Sequence, residues 1–170
     1  AIDALDSVGS VRPLTMLVAG DGDEAAAVRA AADRANATGG PLRVRVLGNV
    51  RDPHPVYDAA DIVFGMGGSA LRGAAHAKPV IVQGRGGFWR LLAPESVDDF
   101  LREGFFGTGP TPGPSFVDLV HALSEQPNRR SELGAFGRRL VEERFALGAA
   151  VGRLEQIYRT EVDRPWDASR

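Results

Sequence analysis

Cysteine is absent from the 170 residues, which excludes disulfides and thiolate metal sites and is compatible with a reducing compartment. An excess of positive charge is missing too. The formal net charge is −2, and no stretch interleaves arginine with aromatics, so nothing points to a nucleic-acid partner. No apolar run approaches the ~18 residues that a membrane-crossing helix needs, and no charged start leads into an apolar signal segment. The expected location is the cytoplasm, with membrane association left to parts outside these residues. Lysine is nearly missing: Lys78 is the single one among 20 basic residues, which, with abundant Ala and Gly, reads as codon bias of a GC-rich genome. Histidine is scarce. His54 sits between prolines, and His76 and His121 fall in expected helices with no partner at ligand spacing, so no metal is expected. A chain of this length can bury a proper core as one domain, expected over residues 1–162 with a frayed tail at 163–170.

What is present is clearest between residues 61 and 82. Ile62, Val63 and Phe64 are an apolar strand, Ser69 can cap a helix over Ala70 to Ala77, and Pro79 stops that helix before a second strand at Val80, Ile81 and Val82. Gly65, Gly67 and Gly68 fall between the first strand and the helix, where backbone N–H groups and the helix dipole favour an anion. A tight turn in any open α/β sheet would use the same glycines.

The flanking sequence repeats the theme. Ile2 to Val8 has a weak helical pattern. Leu14 to Ala19 reads as a strand stopped by Gly20-Asp21-Gly22-Asp23, and the Ala-rich run Glu24 to Ala37 as a helix. Gly39, Gly40 and Pro41 end it before Leu42 to Leu47, whose alternation with Arg43 and Arg45 marks a half-exposed strand near a sheet edge. Val56 to Ala60 reads as a helical turn. Gln83 to Phe88 is a glycine-rich loop, and Trp89, Leu91 and Leu92, then Val97, Phe100 and Leu101, have helix-like spacing. Phe116 to Glu125 and Arg129 to about Val162 complete the pattern as helices, the last with a break at Gly148. Alternating strands and helices through residue 84 predict an α/β fold with a doubly wound parallel sheet.

Four segments in order, Leu17-Val18-Ala19-Gly20-Asp21-Gly22, Val46-Leu47-Gly48-Asn49-Val50-Arg51-Asp52, Tyr57-Asp58-Ala59-Ala60-Asp61-Ile62 and Ala74-Ala75-His76-Ala77-Lys78-Pro79-Val80, resemble the carboxyl-terminal half of retaining, nucleotide-sugar-dependent glycosyltransferases of the group 1 type. The ending, Arg138-Arg139-Leu140-Val141-Glu142-Glu143-Arg144-Phe145, is similar as well. The resemblance implies one Rossmann-like half of a GT-B fold, which binds a nucleoside-diphosphate sugar (UDP, GDP or ADP) and needs no prosthetic group. By this resemblance Val50 and Asp52 contact the base, Gly20, Asp21 and Gly22 and the segment Gly65 to Ser69 line the cleft, and Gly86 and Gly87 flank the donor sugar. Each has a plainer reading from the residues alone. Asp21 and Asp23 can cap the following helix, Asp52 can brace a turn before Pro53, and Phe88 and Trp89 can pack in the core.

Two features depart from the family pattern. The acid pair usual around the central helix is replaced by Phe64 and Arg72, and the strand that opens the family's domain, with its diphosphate-binding Arg and Lys, has no counterpart ahead of Ile2. Arg72 is therefore a candidate diphosphate ligand, a solvated side chain or a pair with a nearby Asp being the plainer alternative. The absent strand would lie between Leu14 to Ala19 and Asp61 to Met66, leaving unpaired edges in mid-sheet. The expectation is a donor-binding domain that acts with an upstream acceptor domain of the same chain and is inactive by itself, with no catalytic residue assigned. The alternative is a noncatalytic homologue serving as a binding or partner module. A dinucleotide-binding oxidoreductase domain is disfavoured because Gly20-Asp21-Gly22 lacks a third glycine at Ala25.

Overall fold

In a computed structural model, which describes residues 1–6, 13–110 and 113–162, the chain is mixed α/β. Helix α1 (Ile2–Asp6) precedes β1 (Leu14–Ala19), α2 (Ala25–Ala37) and β2 (Leu42–Gly48). Next come α3 (His54–Ala59), β3 (Val63–Gly65), α4 (Gly68–Ala75), β4 (Val80–Gln83) and β5 (Trp89–Leu91). Helices α5 (Val97–Glu103), α6 (Phe116–Glu125), α7 (Pro127–Arg144) and α8 (Leu147–Val162) close the chain. No helix among the described residues is long and apolar enough to cross a membrane. The part of the expected first helix beyond Asp6, and the tail at 163–170, lie outside the described residues.

The single doubly wound sheet expected from the sequence is replaced by two small sheets. Strand β1 runs parallel to β2, with Leu14 opposite Leu42 and Val18 opposite Val46. Strand β3 runs parallel to β4, which also pairs antiparallel with β5. No ladder joins β1 to β3 among the described residues.

Alternation along each strand divides the core in two. Val63, Val80 and Val82 point to one side, where Ala70 and Ala74 of α4, Phe100 of α5 and Leu140 of α7 bury them. Phe64 and Ile81 point to the other, against Phe116 and Val120 of α6, in a cluster that also takes in Leu5 of α1 and Leu42 and Val44 of β2. One core thus spans both sheets. Glycine makes the contact between α4 and α7 possible: a Cβ on Gly134 would overlap the Ala77 carbonyl, and one on Gly137 would sit 3.1 Å from the Ala74 methyl group.

The segment from Trp89 to Leu91 is a strand, not the helix that its spacing suggested. Gly86 and Gly87, both with positive φ, turn the chain back on itself, and the Gly84 N–H donates to the Phe88 carbonyl at 3.0 Å. From Phe88 to Leu92 the side chains then alternate between the two core clusters, Trp89 and Leu91 on one side and Phe88 and Leu92 on the other. Arg90, on the Phe88 side, pairs with Asp99 at 2.8 Å and stands 5.7 Å over the Phe100 ring. The terminal helices part at Phe145 rather than Gly148, because the Phe145 ring turns edge-on to Phe105 at 5.7 Å.

Candidate functional site

The turn from β3 into α4 is the most constrained segment among the candidate residues. Gly65 is buried, and a Cβ there would lie 2.7 Å from the Ser69 hydroxyl. Gly67 takes φ +51° and caps α4 without a side chain, while its N–H donates to the Phe105 carbonyl at 2.8 Å. Ser69 does not cap the helix as expected. Its hydroxyl accepts from the Met66 N–H at 3.0 Å and donates to the Met66 carbonyl at 2.9 Å, closing the turn on itself. The helix starts two residues earlier than the sequence suggested, at Gly68, whose N–H has no acceptor among the described residues and whose Cβ position faces open space.

The other candidates are distributed around this turn rather than gathered on it. Gly20, at φ +136°, ends β1 and donates its N–H to the Gly48 carbonyl at 2.7 Å. Asp21 pairs with Arg29 at 3.3 Å instead of capping α2, and the Gly22 carbonyl accepts from the Ala25 N–H at 2.9 Å. Val50 is half-buried, and Asp52 braces the start of α3 by accepting from the His54 N–H at 3.1 Å. Gly86 and Gly87 form the β4–β5 turn, which is tied to residues 107 and 109 through the Arg85 backbone. Phe88 is buried, and Trp89 packs on Phe116 with ring centroids 4.2 Å apart, so both serve the core.

Arg72 sits in the last turn of α4, not near its amino end, so its cation is favoured by the helix dipole rather than opposed by it. Its side chain is exposed and makes no ion pair among the described residues. Phe64, at the other departure from the family pattern, meets Phe116 edge-on at 5.0 Å and belongs to the core.

A cleft of about 610 Å³ separates the two sheets. The last residues of β1 and β4, Ala19 and Gln83, line it together with Phe64 of β3 and Ser69 of α4. Ser69 is the one candidate residue that lines it; Gly67 and Gly68 adjoin it in sequence, whereas Arg72, Asp52, Gly86 and Gly87 are not among its lining residues.

A second polar cluster escaped the sequence reading. His54 Nδ1 lies 3.0 Å from His76 Nε2, and His76 Nδ1 lies 2.7 Å from Asp58 Oδ1. The network closes when His76 donates to Asp58 and accepts from His54, with Tyr57 stacked on His76 at 5.3 Å and Lys78 donating to the Asp58 carbonyl at 2.9 Å. The readable signal was His54 and Asp58, four apart on one short helix; what was not readable is that the end of α4 lies beside it. No group of three or more His, Asp or Glu among the described residues is placed to hold a metal ion. Comparison with protein-family models, curated proteins and solved structures gave no match.

Proposed function

We propose that this chain is the donor-binding domain of a glycosyltransferase, a Rossmann-like half of a GT-B fold that holds a nucleoside-diphosphate sugar of the UDP, GDP or ADP class. One observation carries the reading: the amino end of α4, which has no side-chain cap, with left-handed Gly67 and a Gly68 N–H that has no acceptor among the described residues, adjoins through Ser69 a cleft that the last residues of β1 and β4 also line. The Gly67 and Ser69 N–H groups are taken up by the Phe105 and Met66 carbonyls, so the Gly68 N–H and the helix dipole are what would receive a phosphate oxygen there. As the bond from sugar to diphosphate breaks, charge grows on the leaving group. Donors fixed in advance stabilise that charge, and the sugar stays oriented for an acceptor supplied by another domain of the cytoplasmic enzyme. Catalysis in this scheme is positioning and electrostatics, with no covalent nucleophile.

A second reading has its own support. Phe64 packs its half-buried ring on Phe116 where the family pattern has an acid, and Arg72 replaces the other acid, which suits a noncatalytic binding module.

A thermal-shift panel of UDP, GDP, ADP, their sugar conjugates and NAD tests both. A ligand at ~100 times its Kd stabilises the native state by roughly 2.7 kcal/mol. Stabilisation by one nucleoside diphosphate, lost in Gly67→Val while the variant stays folded, is the expected result. Stabilisation by NAD alone, or by none of the panel, contradicts the proposal. Binding without sugar transfer once the acceptor domain is supplied selects the noncatalytic reading.

A further inference from the structure

The polar cluster between α3 and α4 lies at the opposite end of α4 from the Gly67 turn, so its chemistry is independent of any nucleotide there. His54 is the first residue of α3, and His76 ends α4 as its C-cap. Their rings meet nitrogen to nitrogen, Nδ1 to Nε2, at 3.0 Å. Neutral imidazoles can face each other this way only while a proton sits on one of the two nitrogens. When His54 carries its proton on Nε2 instead, and His76 keeps its own on Nδ1 for Asp58, two lone pairs are left side by side.

The spacing is that of two ligands on one small cation. With metal–nitrogen bonds of about 2.0–2.1 Å, two donors lie about 2.9 Å apart at a right angle and about 3.3 Å apart at the tetrahedral angle. The observed 3.0 Å falls between, so a tilt of the two rings is the movement required. The Asp58 carboxylate holds His76 Nδ1 at 2.7 Å, the arrangement that fixes a ligand's tautomer and raises its basicity. Tyr57 stacks on the same ring at 5.3 Å and fixes its plane. The His76 side chain is 15% exposed, whereas His54 and Asp58 face solvent, which leaves an open path for entry. The local charge favours a cation: Asp58 and Asp52, which accepts from the His54 N–H, stand against the single Lys78 ammonium, which is tied to the Asp58 carbonyl.

We infer that His54 and His76 form a two-histidine site for one divalent transition-metal ion of the Zn²⁺ or Cu²⁺ class, oriented by Asp58 and completed by water. Among the described residues no group of three His, Asp or Glu supplies a full set of protein ligands, so water fills the remaining positions. Paired imidazoles select such ions over Mg²⁺, which prefers oxygen. The ion clips α3 to the end of α4 across 22 positions of sequence, in place of a single hydrogen bond.

Calorimetric titration of ZnCl₂ and of CuCl₂ into the whole chain, with MgCl₂ as control, tests this. One Zn²⁺ per chain should bind and saturate below millimolar, Cu²⁺ should bind more tightly, and Mg²⁺ should neither bind nor compete. Asp58→Asn, at the positioning residue, should weaken Zn²⁺ binding about tenfold with both imidazoles present, and Asp58→Glu should restore most of it. His54→Gln and His76→Gln, which each remove a ligand, should weaken it further. Circular dichroism should show these variants folded; should His76→Gln unfold, the exposed His54→Gln carries the comparison. Proton NMR of the parent needs no variant: Zn²⁺ should move the ring signals of His54 and His76 and spare those of His121, which pairs with Glu125 at 3.7 Å on α6. Absence of saturable binding at millimolar Zn²⁺ overturns the inference. Parent affinity in His54→Gln or in Asp58→Asn overturns it as well, and so do ring signals that move at His121 instead.

Discussion

The sheet of β3, β4 and β5 and the sheet of β1 and β2 are built from similar residues and end in different states. In β4, Val80, Ile81 and Val82 are no more than 1% exposed, because helices cover both faces. In β2, Leu42 and Val44 are buried while Arg43 and Arg45 are exposed, because helices α1 and α2 cover one face alone. A continuous apolar run marks the first situation and strict alternation the second, so the degree of covering was written in the strands themselves. Burial of the β1–β2 sheet depends on one face and one edge, which is why its inner edge can stand open.

Substitutions should separate the two halves in proportion. Phe100→Ala removes a ring that is fully buried under the covered sheet and should cost about 3–5 kcal/mol in urea unfolding. Gly134→Ala forces a methyl group into the Ala77 carbonyl and should cost about 1–3 kcal/mol by the same measurement. At α6, which underlies the gap, Ser115→Ala breaks a capping box and should cost about 1 kcal/mol. There the Ser115 hydroxyl and then its N–H, donating to Asp118, hold that carboxyl below its ordinary pKa, with His121 adding a smaller attraction. A lowered folded-state pKa contributes stability above the unfolded-state value near 3.8 that disappears as pH falls through the folded value. Unfolding of the parent followed from pH 6 down to pH 2 should therefore lose that contribution at the acid end, and Asp118→Asn should flatten it. Thr15→Ala, on the bare face of β1, should move stability by less than about 0.5 kcal/mol. A cost for Thr15→Ala comparable with that of Phe100→Ala would erase the distinction between the halves.

Elements with a strong local pattern were legible. The Ala-rich α2, the alternating β2 and the apolar β4 follow from composition and period alone. Strand β5 was misread because Trp89, Leu91 and Leu92 satisfy helical spacing over three positions, whereas the alternation that settles it needs Phe88 and Arg90 as well. The helix break at Phe145 depends on a ring 40 residues away, Phe105, and no local pattern carries that. At the candidate site, the Gly67 turn was readable because glycine at the start of a helix after a strand has few other uses. The inward fold of the Ser69 hydroxyl, the place of Arg72 in the last turn and the meeting of His54 with His76 depend on where a helix starts and what packs beside it.

Backbone amide exchange of the free monomer bears most directly on the open middle of the sheet. The amides of Met16 and Val18, which face β2, should be protected, and those of Thr15, Leu17 and Ala19 should exchange about tenfold faster, in strict alternation along one strand. Uniform slow exchange from Leu14 to Ala19 would mean that both edges of β1 are already paired, and the gap between the two sheets would not exist in solution.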